Sequence, residues 1–299
     1  MLMLLFCLFA PMGDSVAKLL GPSVPLLQLL AVRFVLQALL LLPIVMATDR
    51  TLAMGRREMR LTFVRTVLHI LGVGAMFLSL RYLPLADAVA IAFVMPFIML
   101  LLGHFVLGEV VGWRRIAACA VGFIGTLLVI QPSFAAVGAP ALLPLAVAFI
   151  FAGFMLVTRQ MAKQVDAISM QCVSGFMALP ILALFFAVAG PGGWEEARFV
   201  WPTQTEIALL FLLGVLGTTG HLFMTWSLRF APSATLAPMQ YLEIPIATVL
   251  GYLIFADLPN GLAALGIIIT IVAGLTIIML EHRAAKRALS DEKVDTCFE

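Results

Sequence analysis

The heptapeptide Leu80-Arg81-Tyr82-Leu83-Pro84-Leu85-Ala86 is echoed about 148 positions later by Leu228-Arg229-Phe230-Ala231-Pro232-Ser233-Ala234. An apolar run follows each copy. The first run carries Pro96 and Gly103 and closes on Gly108-Glu109; the second carries Pro245 and Gly251 and closes on Ala256-Asp257. A further apolar run comes next, with Gly122 and Gly125 in one copy and Gly274 in the other. Upstream the match is fainter: Lys18 aligns with Arg159, and Arg33-Phe34 with Gly175-Phe176. The chain therefore divides into halves of 1–135 and 136–299, the second ending in a short tail. Two copies of one hydrophobic unit rarely make an enzyme. When each unit has an odd number of membrane spans, the second copy sits inverted, and many secondary transporters build two gates around one central site in this way.

Composition sets the solvent. Of the 299 residues, 63% are hydrophobic and 11% charged, and the mean hydropathy is +1.12. A soluble domain is nearer half apolar and a quarter charged. So few charges cannot cover a water-facing surface, which makes this an integral membrane protein. No basic patch with interleaved aromatics exists, so nucleic acid is not expected as a partner. Cys7, Cys119, Cys172 and Cys297 form no CxxC pair, and His69, His104, His221 and His282 lack metal-ligand spacing. No metal and no cofactor is expected.

A span needs about 20 apolar residues. Ten runs qualify: 2–20, 25–47, 62–81, 86–107, 114–131, 141–161, 168–189, 205–228, 233–255 and 261–281. The first lacks a positive n-region and carries Asp14 and Lys18, so it reads as a span and not a signal peptide; the natural start is expected a few residues earlier. The runs are continuous and do not alternate with period two, which excludes a β-barrel. The expected fold is all-α, with ten transmembrane helices as two inverted five-helix repeats. With the N-terminus inside, the cytoplasmic loops hold Arg50, Arg56, Arg57, Arg60, Arg65, Arg114, Arg115, Arg159, Lys163 and Arg229, and the tail adds Arg283, Lys286, Arg287 and Lys293. Only Lys18, Arg81 and Arg198 fall outside, and Arg33 lies within a span. The positive-inside rule then puts both termini in the cytoplasm. It also sets the Arg81–Pro84 corner and its echo at opposite faces, as inversion requires.

These residues resemble the EamA-like transporters of the drug/metabolite transporter superfamily. The shared features are a small-residue stretch before Lys18 (Gly13-Asp14-Ser15-Val16-Ala17), the Arg33-Phe34 pair, Pro96 with Gly108-Glu109, and the run from Gly122 through Gly125 to Ile130. The chain departs from that pattern at Met12, where an aromatic is common, and at Asp257, where the second repeat lacks Gly-Glu. Within the superfamily it looks most like the bacterial amino-acid exporters of the aromatic amino-acid exporter group known as YddG. The resemblance implies the bacterial inner membrane, ten spans and a monomer as the working unit. It fixes architecture better than cargo.

Charge inside a span costs about 2.5–3.5 kcal/mol on insertion scales, so each instance needs a reason. Asp14 and Lys18 are one helical turn apart and read either as a structural pair or as a polar stripe touching substrate. Arg33 is expected to meet Asp14 or a backbone carbonyl in a structural or gating role. Glu243, beside Gln240 and Tyr241, reads either as a hydrogen-bonded acid or as a proton-coupling group; Pro245 is expected to bend its helix. His69 and His221 sit in repeat-equivalent spans, close to Gly72 and Gly220, where small residues bring backbones together or leave room for a cavity. Tyr82, Trp226 and Tyr241 could wall a substrate. Trp113, Trp194 and Trp201, at span ends, suit the aromatic belt. The expected substrate set is His69, Tyr82, Trp226, Gln240, Tyr241 and His221; the coupling or gating set is Asp14, Lys18, Arg33 and Glu243; the packing or hinge set is Gly72, Pro96, Gly220 and Pro245. The third, fourth, eighth and ninth spans are expected to line the site.

No Walker A sequence is present, so ATP does not drive the protein directly. No HExxH, paired-carboxylate or Cys/His cluster supports an enzyme, and no filter sequence supports a channel. The leading expectation is a secondary exporter of amino acids, including aromatic ones, by alternating access. The alternative is another metabolite or drug, such as a nucleobase or an S-adenosylmethionine-like cofactor, with uptake as a possible direction.

Overall fold

The computed structural model describes residues 1–48, 50–107, 113–190, 192–231, 236–276 and 279. Gly108-Glu109, the Pro232 corner and the basic tail lie outside the described residues. Within them the chain is helical and has no strand. The helices are α1 (Leu2–Leu20), α2 (Leu26–Ala47), α3 (Arg56–Ser79), α4 (Leu85–Ala92), α5 (Met95–Leu107), α6 (Trp113–Val137), α7 (Leu143–Met161), α8 (Ala167–Ala189), α9 (Gln204–Phe230) and α10 (Glu243–Phe255). A last helix, α11 (Gly261–Thr276), follows.

Among the described residues, eight stretches are long and apolar enough to cross a membrane: α1, α2, α3, α8 and α9, α7 with the 3-10 turn before it, α4 and α5 taken together, and Ala120–Val137 of α6. The two stretches near the C-terminus, Met239–Phe255 and Gly261–Thr276, are apolar but shorter. Leu253 and Val188, 71% and 70% exposed, belong to an outer surface that water would not tolerate at this density and lipid would. Trp201 and Trp113 are also exposed at the ends of their segments.

Local sequence sets the ends. Asp166 caps α8 by accepting from the amides of Ile168 and Ser169. Thr203 and Glu206 form a capping box at the start of α9. The fourth and ninth segments are broken. After Ala92 the chain turns at Phe93 and Val94 and a new helix starts at Met95. Likewise a 3-10 turn over Ala237–Leu242 gives way to α10 at Glu243. Pro96 and Pro245 fall in the first turns of the new helices, where the amide they lack would be unpaired anyway. Pro245 falls just after the change from 3-10 to α geometry, inside the helical stretch Met239–Phe255.

The main packing pairs are α1 with α9, α3 with α7, α2 with α8 and α4 with α10. In addition α1 touches α10, and α7 touches both α4 and α5. One face is tied by Lys18 to Asp257 at 2.8 Å and by Arg81 to Glu196 at 2.5 Å. The opposite face has Arg50 against Asp166 at 2.6 Å.

Candidate functional site

The two helix breaks face one cavity. Its volume is about 100 Å³. The wall is apolar, with Phe6 and Phe9 of α1, Phe77 of α3, Phe93 at the first break and Phe151 of α7 set among aliphatic side chains. The polar groups that reach it are Asp14, Arg33, His221, Gln240 and Glu243. The expected third, fourth, eighth and ninth segments all contribute, joined by α1, α2 and α7.

Arg33 is 3% exposed. Its Nη1 points to His69 Nε2 at 3.3 Å and its Nη2 to His221 Nδ1 at 3.1 Å. The imidazole centroids lie 4.3 Å apart. Asp14, the expected partner of Arg33, lies on the same cavity, and no hydrogen bond joins the two among the described residues. Asp14 and Lys18 do not pair either: Lys18 reaches Asp257 and the Leu83 carbonyl, while Asp14 stays at the cavity. Charge burial is thus spread over partners that are distant in sequence. Glu243 opens α10, inside the apolar run 233–255. Among the described residues its Oε1 has no partner, nor has Gln240 Oε1 or His221 Nε2.

Several expected wall residues stand elsewhere. Tyr82 is half-exposed in the turn between α3 and α4. Trp226 packs beside Phe223, against the cluster of Leu41, Ile168 and Cys172. Tyr241 is 2% exposed and lies on Phe93 with ring centroids 5.4 Å apart. Glycines make its seat: a Cβ at Gly274 would come within 2.3 Å of the ring, and one at Gly122 within 3.3 Å of the hydroxyl. The repeated glycines of the two halves thus clasp a tyrosine. His69 is fully buried behind Arg33 and does not line the cavity. Gly72 packs on Phe151, whose ring a Cβ would approach to 2.8 Å; Gly220 lines the cavity. Pro96 lies in α5.

Sequence reasoning missed the phenylalanine wall and Arg65. Counted with the cytoplasmic loops, Arg65 is in fact fully buried in α3. It donates to Thr158 Oγ1 at 2.9 Å, Ser174 Oγ at 2.8 Å and Gln171 Oε1 at 2.8 Å, and its guanidinium carbon lies 4.5 Å from the Phe154 ring centre. Outside the spans, partial burial works to raise the Asp166 pKa, but the Arg50 hydrogen bond and the Ser169 and Ile168 amides hold it below the usual carboxylate value.

The model of the EamA-like transporter family matches residues 1–131 and 139–280. The chain belongs to the EamA-like transporter family. A riboflavin transporter of Rhizobium johnstonii is 31% identical over 225 residues, covering 75% of this chain and 71% of that protein. An S-adenosylmethionine uptake transporter of Rickettsia prowazekii is 25% identical over 285 residues, covering 94% and 92%. A pseudopaline exporter, CntI, of Pseudomonas aeruginosa is 27% identical over 227 residues, covering 75% and 77%. A solved crystal structure shares the fold at TM-score 0.67 and 21% identity, covering 94% of this chain and 96% of that one. This EamA-like chain is therefore a multi-span membrane transporter. The expected likeness to aromatic amino-acid exporters of the YddG group is not what these relatives support; they are named for riboflavin, S-adenosylmethionine and pseudopaline, and as transporters or exporters.

Proposed function

We propose that this chain is a secondary transporter whose central cavity carries a small metabolite with a flat heteroaromatic body, of cofactor size and not a simple amino acid. The observation that carries the reading is the cavity itself: phenylalanine walls with a short polar edge of Arg33, His221, Gln240 and Glu243. Phenyl faces stack on flat rings, and a few placed polar groups fix orientation. The names of the riboflavin and S-adenosylmethionine relatives support it, since both cargoes contain such a ring. The cargo moves by alternating access, with the bilayer as the protein's other partner and the monomer as working unit.

The same proposal includes ten spans in two inverted halves, 1–135 and 136–299, in a bacterial inner membrane with both termini cytoplasmic. The packing supports this. Exchanging the first span for the sixth, and so on through the fifth for the tenth, turns the α1–α9 contact into the α7–α3 contact and returns α2–α8 and α4–α10 to themselves. The two helix breaks also exchange. Moving Arg65 from the loops into α3 leaves the Lys and Arg bias at thirteen to three, still inside.

The test is counterflow into proteoliposomes preloaded with unlabelled compound. Labelled riboflavin or S-adenosylmethionine is expected to accumulate and phenylalanine is not; phenylalanine alone would return the amino-acid exporter reading. For orientation, a cysteine in the Gly192 loop is expected to react from outside the cell. Its protection, with exposure of one at Arg57, would reverse the topology.

A further inference from the structure

We propose that Arg33 sets the tautomer of His221, so that the cavity reads the edge of a heterocycle carrying an acceptor beside a donor, as a lactam, imide or amidine edge does. The inference rests on the heteroaromatic cargo proposed above. A guanidinium has donors and no acceptor. His69 Nε2 and His221 Nδ1, at 3.3 and 3.1 Å from it, must both accept. A neutral imidazole has one N–H, which falls on Nδ1 in His69 and on Nε2 in His221. A rival arrangement exists for His221, whose Nδ1 is also 3.0 Å from the Gly217 carbonyl. Donating there would set one N–H against another. A charge-assisted hydrogen bond is about twice as strong as a neutral one, so the arginine decides. Gly217 is what admits it: a Cβ at that position would lie 2.6 Å from Arg33 Nε.

The consequence faces the cavity. His221 is 7% exposed and its Nε2–H has no protein partner. Gln240 is 1% exposed; its amide nitrogen approaches Met155 Sδ at 3.5 Å, which leaves Oε1 as an unpaired acceptor. Glu243 Oε1, on the same lining, is also unpaired among the described residues; a carboxyl oxygen accepts when ionised and can donate when protonated. The His221 donor and the Gln240 acceptor, both buried without partners among the described residues, match a ring edge that accepts at one atom and donates at the next. The imide edge of a flavin and the amidine edge of an adenine both do so. A phenyl ring does neither and would leave all three atoms unpaired, which is costly in a buried site.

The test uses the full-length protein in lipid nanodiscs and proteoliposomes. In competition against the transported label, lumiflavin is compared with 3-methyllumiflavin, and adenine with N6,N6-dimethyladenine. Each methylated compound is expected to compete at least about tenfold more weakly, which corresponds to 1.4 kcal/mol. Nitrogen-15 NMR of histidine-labelled protein, assigned with His221→Gln, should find the His221 proton on Nε2. In Arg33→Met it should move to Nδ1 and donate to the Gly217 carbonyl. A wild-type His221 protonated on Nδ1 would overturn the proposal whether or not the Arg33 variant folds. Equal competition by parent and methylated rings would overturn the edge reading while leaving the cargo class intact. If no flat heterocycle competes and phenylalanine does, the cargo reading has failed, and the NMR result still decides the tautomer.

Discussion

Among the described residues two arginines are buried in this bundle, and they are buried differently. Arg65 is 0% exposed and is met by neutral oxygens from α7, α8 and α9, with a phenyl ring against its face. Arg33 is 3% exposed and meets two imidazoles whose far nitrogens have no partner. Neither has an ion pair among the described residues. Around Arg65 every donor-bearing contact is met and Gln171 Nε2 alone lacks a partner among the described residues, a network that stiffens the fold, whereas the less satisfied one at Arg33 leaves unmet hydrogen-bonding capacity beside the cavity that a ligand can fill. On this view the Arg65 region is a staple between the two halves, and the Arg33 region is where the protein meets its cargo.

The sharpest way to break that contrast is to remove each cation. Arg65→Leu strands Gln171 Oε1 and takes a charged donor from Thr158 and from Ser174, which keep their bonds to the Phe154 carbonyl and to Thr66. At about 1.5–3 kcal/mol for each hydrogen bond to a charged group, the expected loss is about 3 kcal/mol or more. It would be seen as a collapse of the thermal transition in detergent. Arg33→Met strands only two imidazole nitrogens. It should keep its gel-filtration profile and lose transport. If the two variants lose stability equally, the contrast fails.

Glycines sharpen the same point at smaller cost. A Cβ at Gly125 would meet the Gly266 carbonyl at 2.7 Å, where α6 crosses α11. Backbone cannot yield easily, so Gly125→Ala should destabilise by about 1–3 kcal/mol. Gly217→Ala presses on the movable Arg33 side chain. It should leave the melting temperature nearly unchanged and cut transport roughly tenfold, the equivalent of about 1.4 kcal/mol. Bulkier changes at Gly220, which lines the cavity, should block transport with expression intact.

Glu243→Gln separates recognition from coupling. Gln keeps an acceptor oxygen at the break, so binding should stay within about threefold of wild type, or about 0.7 kcal/mol. If Glu243 carries a proton through the cycle, stimulation by a pH gradient should vanish in this variant. Equal rates with and without the gradient in both proteins would remove the proton from the mechanism.

Asp166 marks the smallest effect. Its folded pKa is depressed, so the Arg50 pair and the amide cap contribute stability above the unfolded value of about 3.9 and lose it as pH falls through the lower folded value. Between pH 5 and 8 stability should not respond to this group. Asp166→Asn keeps the cap and loses an exposed ion pair, a change within about 1 kcal/mol.

The sequence made the fold legible because apolar runs and Lys/Arg placement register directly in it; the first span, expected at 2–20, is Leu2–Leu20. The breaks were less legible, since a proline that starts a helix looks the same in sequence as one that kinks it. Asp14, Arg33, His221, Gln240 and Glu243 stood out because polar groups are rare in such runs. Phe6, Phe9 and Phe151 did not, because 22 phenylalanines are spread over the chain and only packing shows which of them face inward. Arg65 was hidden by its neighbours: behind Arg56, Arg57 and Arg60 it read as a continuation of the loop.

Cysteine protection tests the central claim most directly. Ala92 lines the cavity beside the first break, and Ser174 is buried at Arg65. Each is replaced by cysteine and reacted with a maleimide in the absence and presence of lumiflavin. The account predicts that Ala92→Cys is labelled and then protected by the flavin, while Ser174→Cys is neither. Protection at Ser174→Cys with none at Ala92→Cys would contradict it.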